Sequence, residues 1–203
     1  MSLVQDLSGN RDERAATEAP RPAGFVSRAS HAIARGEAIL AGILAALTFG
    51  LLLLNVVTRA AGSPLIWVDE LAIYAMIWMA FMGTSLAIRH RGHIAVTLLS
   101  DGLRPHGRRV MVAFVDALLL ALMTVFIALV WNWFDPVGLI AAGDLSTFSR
   151  TTFNFIYQEP TTTLGLRKVW FWLIMPVFAL CGTLHAAANL IDSLCALRKG
   201  GMR

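Results

Sequence analysis

Residues 65–96 read LIWVDELAIYAMIWMAFMGTSLAIRHRGHIAV. Between Glu70 and Arg89 lie eighteen residues without a charged side chain. At about 1.5 Å per residue, a helix of this length nearly crosses a hydrocarbon layer of about 30 Å. Gly62-Ser63-Pro64 forms a turn ahead of it, and the proline is compatible with a helix start. Trp67, Asp69 and Glu70 occupy the first turns, where anions favour the positive end of the helix dipole. Arg89-His90-Arg91 closes the run with a basic exit. The stretch therefore reads as a membrane span.

Three further runs have the same character, so the spans fall at about 38–57, 65–88, 110–133 and 169–190. The chain is 57% hydrophobic and 15% charged, against about 45–50% and about 25% in soluble domains. The expected fold is an all-α integral membrane protein with four transmembrane helices and short interfacial amphipathic helices. Residues 1–24 are polar and rich in Ala, Arg, Glu and Pro, and read as a disordered tail. Residues 25–37 carry Phe25, Ala29, Ala32 and Ile33 at helical spacing and read as an amphipathic lead-in helix. The first apolar run is of full span length and is expected to act as an uncleaved anchor. Residues 93–103, within the basic 89–109 loop, read as a short interfacial helix ending at Gly102. Residues 134–168 form an unusually long connection, a length that usually signals function or a partner contact. A basic tail, 193–203, closes the sequence.

Lys and Arg are distributed unevenly. The segments before span 1, between spans 2 and 3 and after span 4 hold thirteen, and the other two loops hold four. The positive-inside rule then places both termini in the cytoplasm and the 134–168 loop in the periplasm. Trp67, Trp131, Trp133, Trp170 and Trp172 fall at the outer span ends, where amphipathic rings prefer the headgroup layer, while Trp78 is mid-span. The net charge of +4 and pI near 9.7 then report cytoplasmic loops and no nucleic-acid footprint. Arg89, Arg91, His93, Arg104, Arg108 and Arg109 become candidates for lipid headgroup contact, with topology determination as the plainer reading.

Chemistry is sparse. Glu37, Asp69, Glu70, Asp116 and Asp192 all lie within about two turns of a span end, so none offers a midplane ion site. His185 is the one histidine inside a span, which leaves haem ligation without a partner. His185, Asn189 and Asp192 recur at i, i+4 and i+7, a stripe suited to inter-helix hydrogen bonds. Cys181 and Cys195 are about 21 Å apart along one helix and cannot bridge. No Ser-His-Asp arrangement, P-loop, dinucleotide fingerprint or zinc-protease motif is present, so no enzymatic activity, cofactor or metal is expected. Gly42, Ala46 and Gly50 leave one face of span 1 without bulk. That spacing suits close helix packing, and chance in an Ala/Gly-rich helix produces it equally.

The most specific pattern is Asn55 and Arg59 closing span 1, Trp67 and Glu70 opening span 2, then Tyr74, Trp78, Phe81 and Gly83, then Arg89 and His93-Ile94-Ala95-Val96. This pattern resembles the DctQ-type small membrane subunit of the tripartite ATP-independent periplasmic (TRAP) transporters over about residues 36–192, most closely over 55–98. The resemblance implies a small permease subunit in a bacterial inner membrane. Its implied partners are a large membrane subunit, a periplasmic substrate-binding protein and membrane lipids. The small subunit would scaffold the large one and help dock the binding protein during sodium-driven organic acid uptake. The long N-terminal tail and the long 134–168 loop depart from the family pattern. A four-span accessory or assembly protein of another complex is the alternative.

Under that resemblance Asn55, Arg59, Trp67, Asp69, Glu70, Tyr74, Trp78, Phe81 and Gly83 are the candidate subunit interface. Arg59 is expected to pair with one of the two acids. Glu70, on the face of Tyr74 and Trp78, is assigned to the interface and Asp69 to the exposed side. Simple capping of the helix dipole by both acids is the other reading.

Overall fold

The structure is a computed structural model that describes residues 25–91 and 105–200. The 1–24 tail, the 93–103 helix, His93 and Arg104 lie outside the described residues. Among the described residues seven helices run in order: α1 (Phe25–Ala60), α2 (Ile66–Arg89), α3 (Pro105–Phe134), α4 (Pro136–Ala142), α5 (Leu145–Thr152), α6 (Val169–Trp172) and α7 (Ile174–Gly200). Four helical stretches are long and apolar enough to cross a membrane: Phe25–Ala60, Ile66–Arg89, His106–Ala142 and Val169–Arg198. α1 pairs with α2 and α3 with α7, and α7 also packs against both α1 and α2. An even number of crossings brings residue 25 and residue 200 to one end, here called the terminal end. The other is the loop end.

α1 shows why the chain packs this way. Its buried residues are Ser27, Ser30, Ala34, Glu37, Thr48 and Leu51. The half-buried Ala41, Leu44, Asn55 and Thr58 complete a stripe in alternating steps of three and four. Such a 3.5-residue period keeps one seam against a neighbouring helix with a gentle left-handed supercoil. The seam is small and polar, whereas Ile39, Ile43, Phe49, Leu53 and Val56 point outward. Between lipid and a neighbouring helix there is no hydrophobic gradient, so small and polar residues mark the packed face. The 25–37 segment runs into span 1 without interruption: the 36 residues form one helix. Gly36 weakens the interior by roughly 1 kcal/mol, but the buried stripe passes through it without interruption.

The α3–α7 pair meets α2 through Ile88, Met123, Phe178 and Ala186. Phe178 receives Phe81 and Phe126 edge-on, with ring centroids 5.2 and 5.5 Å away. Gly182 opens the space that Met123 fills.

The 134–168 connection is largely built from short elements. Asp135 takes a left-handed conformation, caps α4 and accepts from Gly138 N at 2.9 Å. A side chain at Gly138 would collide with that carboxylate. Asp144 caps α5 through Ser146 N and Thr147 N, and the Ser146 hydroxyl, foremost, together with these N–H groups holds its carboxyl well below the usual range. Phe148 is fully buried against Tyr157, whose hydroxyl donates to Phe134 O at 2.5 Å.

Phe178→Ala removes two edge-to-face ring contacts worth about 0.5–1.5 kcal/mol each. A loss of about 1–3 kcal/mol in reversible unfolding in mixed micelles is expected, and an unchanged midpoint contradicts this account of the core.

Candidate functional site

At the loop end, two consecutive acids of α2 do different work. Asp69 faces α1. It accepts from Arg59 NH2 at 2.7 Å and from Asn55 Nδ2, and Arg59 Nε donates to Asn55 Oδ1 at 2.8 Å. Both side chains are open to the surface, 61% and 38% exposed, so the pair itself contributes only about 0–1 kcal/mol. Its value is geometric, since it closes the short turn between α1 and α2.

Glu70 points about 100° further round the helix, toward the turn at 161–166. Thr162 N donates to Oε1 at 2.8 Å. Thr163 N and Thr163 Oγ1 donate to Oε2 at 2.6 Å each, and Leu164 N at 3.2 Å. Three successive backbone N–H groups thus make a concave anion seat. Thr161 N to Leu166 O at 2.7 Å and a left-handed Gly165 close the turn. One helical turn on, Tyr74 stacks on Phe171 at 3.9 Å, and Trp78 Nε1 donates to Phe171 O at 2.8 Å. The Trp78 indole thereby satisfies a backbone carbonyl where α6 gives way to α7. This explains a tryptophan away from the headgroup layer. Lys168, beside Glu159 at 2.6 Å, is held above its usual value by that hydrogen bond.

The structure thus gathers Asn55, Arg59 and Asp69 into one cluster. Glu70, Tyr74 and Trp78 are tied to the chain's own loop and α6. Glu70, expected at a subunit interface, is seated in its own chain's turn. Phe81 belongs to the core. Trp67 is 40% exposed, and Gly83 opens onto empty space.

The terminal end holds a buried polar layer. Ser30 Oγ lies 2.7 Å from His185 Nδ1, and His185 Nε2 lies 3.0 Å from Glu37 Oε2. Ser85 Oγ donates to Glu37 Oε1 at 2.7 Å. This is a Ser-His-Glu chain, but Ser30 and His185 are 0% exposed, so no substrate reaches the hydroxyl. Its evident work is to join α1, α2 and α7. The expected stripe on α7 divides: His185 serves this chain, Asn189 accepts from Arg89 NH1 at 2.6 Å and donates to Ile88 O at 2.7 Å, and Asp192 stands 3.9 Å from Arg89.

Of the two arginines expected at headgroup level, Arg89 turns inward, whereas Arg91 stays 41% exposed while its guanidinium reaches into the bundle. Arg89 is 9% exposed and also lies 2.6 Å from His31 Nε2. Arg91 adopts a left-handed φ of 52° and reaches Asp116 Oδ2, Asn189 O and Ser193 Oγ at 2.8–2.9 Å. Arg108 and Arg109 lie at the start of α3. Sequence reasoning missed the Glu37–His185 contact. The signal was the 3.5-residue stripe of Ser27, Ser30 and Glu37 on α1, which marks those residues as inward-facing. Among the described residues, no three His, Cys, Asp or Glu side chains cluster as a metal site.

A family model described as the DctQ component of tripartite ATP-independent periplasmic transporters matches residues 48–196. A protein of Haemophilus influenzae strain Rd named as a TRAP transporter small permease protein is 32% identical over 150 residues, covering 70% of this chain and 92% of that relative. The sialic acid TRAP transporter permease protein SiaT of Haemophilus influenzae strain 86-028NP is 26% identical over 145 residues. That match covers 71% of this chain and 20% of that longer protein.

Three substitutions separate the two ends. Glu70→Ala empties the seat at 162–164, so amide hydrogen exchange of Thr163 and Leu164 should accelerate markedly, whereas Asp69→Ala leaves it slow. Equal protection in both variants contradicts the seat. Glu37→Ala strands His185 and Ser85 without their shared partner. A loss of about 3–5 kcal/mol is expected from breaking a buried pair on one side, measured by unfolding in mixed micelles. A loss within measurement error contradicts the structural role of the pair.

Proposed function

The chain belongs to the DctQ family of TRAP transporter components, and from this premise we propose that it scaffolds the large membrane subunit and helps dock a periplasmic substrate-binding protein during sodium-driven uptake of an organic acid. As a small permease component it is a multi-pass protein of the bacterial inner membrane and is not an enzyme.

One observation carries the scaffold reading. The buried ionisable side chains Glu37, Arg89, Asp116 and His185 are each engaged by partners within the chain. A subunit that moved ions itself would hold such a group available at a cavity near mid-depth. The outward faces of α1 and α3 fit the same role. Only 11% and 17% of their most apolar windows are buried, which leaves broad apolar surface for lipid and for a larger membrane partner. At the loop end, the Glu70 seat and the Asp69 cluster turn the 160–168 segment and the α1–α2 turn into one braced surface. Such a surface suits docking of a soluble protein because little ordering remains to be done on contact. The Lys and Arg asymmetry of thirteen to four supports a cytoplasmic terminal end and a periplasmic loop end. Arg108 and Arg109 then lie on the cytoplasmic side, within reach of lipid headgroups.

Two measurements test this reading. Proteoliposomes with the large subunit, a binding protein and a sodium gradient should take up substrate only when this chain is present. This chain by itself should give none, and sodium-driven uptake by the single chain overturns the scaffold role. For orientation, with Cys181 and Cys195 replaced by serine, a cysteine at Arg150 should react with an impermeant maleimide in intact cells and one at Arg108 only after lysis. The reverse pattern overturns the assigned sidedness.

A further inference from the structure

The outward side of the α3–α7 pair carries two recesses at the loop end, and both are bordered by Tyr157. The upper one, about 570 Å³, is bounded by Leu145, Arg167, Trp170 and Leu173. The lower one, about 280 Å³, is bounded by Trp131, Phe134, Pro136, Pro176, Ala179 and Leu180. They follow one another along the last span. Leu173 and Leu180 are two turns apart, about 10 Å.

Their chemistries differ, and depth orders them. Arg167 precedes the apolar stretch that begins at Val169, whereas Ala179 and Leu180 lie well inside it. The upper recess presents an exposed guanidinium and the Trp170 ring, which is 62% exposed. The lower recess is almost wholly hydrocarbon, and the Tyr157 hydroxyl beside it already donates to Phe134 O. The notch exists because Pro176 and Ala179 are compact between the larger Leu173 and Leu180. α4 borders the same notch through Pro136. None of its seven residues has a polar side chain and none is buried, with Val137 62% and Ile140 80% exposed. Exposed apolar side chains on such a helix suit an apolar environment better than water.

We propose that these recesses bind one phospholipid, its phosphate beside Arg167 and Trp170 and one acyl chain running past Leu173 into the notch at Ala179. A partner helix would fill the lower recess and leave the guanidinium above it without an anion. A phospholipid supplies an anion and a hydrocarbon chain in one molecule, in the order that the two recesses require. Exposed aromatic rings at the junction suit the headgroup layer.

The test is native mass spectrometry of this chain purified with its large subunit, comparing the wild type with Arg167→Glu and Ala179→Leu. Arg167→Glu is expected to lower occupancy of the most tightly retained phospholipid roughly five-fold. Ala179→Leu fills the notch and is expected to lower it at least as far, with the large subunit still bound. Adding phosphatidylglycerol or phosphatidylethanolamine vesicles to delipidated samples should restore the lipid peak in the wild type only. Unchanged occupancy in Arg167→Glu overturns the proposal, and because Arg167 is exposed this arm stands even if Ala179→Leu fails to assemble. Loss of the large subunit from Ala179→Leu with the lipid peak retained also overturns it and assigns the notch to a protein contact.

Discussion

Three helices meet at the His185 imidazole, with Ser30 and Glu37 of α1 on its two nitrogens and Ser85 of α2 on the far oxygen of Glu37. In a bilayer, leucines gain nothing by exchanging lipid for a neighbouring helix, so close packing and polar contacts decide how spans associate. A buried acid, an imidazole and two hydroxyls bonded to one another restrict the rotation of α1 about its axis. That rotation turns Ser27, Ala34, Thr48 and Leu51 inward and presents Ile39, Ile43 and Phe49 to the outside. The outward surface of the subunit is thus a consequence of its polar seam.

The second polar cluster extends the same logic to the chain reversal. Arg91 sits just past the end of α2 in a left-handed conformation that a side chain adopts at a cost of roughly 1–2 kcal/mol. Its guanidinium spans to Asp116 on α3 and to Asn189 O and Ser193 on α7. These bonds offset the backbone strain and hold the two hairpins in register. Basic residues after a span serve topology while the polypeptide inserts, and here two of them also become structural once it has folded.

At the opposite end, adjacency matters more than charge. Asp69 and Glu70 are neighbours in sequence, and the helical rotation between them sends one carboxylate to α1 and the other to the 162–164 turn. Neither acid is buried deeply. Each acts by fixing where a loop lies, and together with Tyr74 and Trp78 they make the long connection a continuation of the helical scaffold.

The four spans, the terminal positions of most tryptophans and the family resemblance follow from composition, run length and motif order, because a bilayer leaves little choice to an uncharged run of twenty residues. The caps of α4 and α5 also have a local signature, in Asp135-Pro136 with Gly138 and in Asp144 with Ser146 and Thr147. Other features had at most a partial local signature. The α1 stripe marks Glu37 as inward-facing, but nothing around it names His185, 148 residues away, as its partner. Nothing around Glu70 announces the amides of Thr162 to Leu164. Such contacts depend on the rotation and depth of helices far apart in sequence, and those are fixed only when every span packs at once. The sequence by itself determined which segments enter the membrane, and the tertiary structure alone decided which side chains face one another, because facing is a property of helix pairs and not of any one helix.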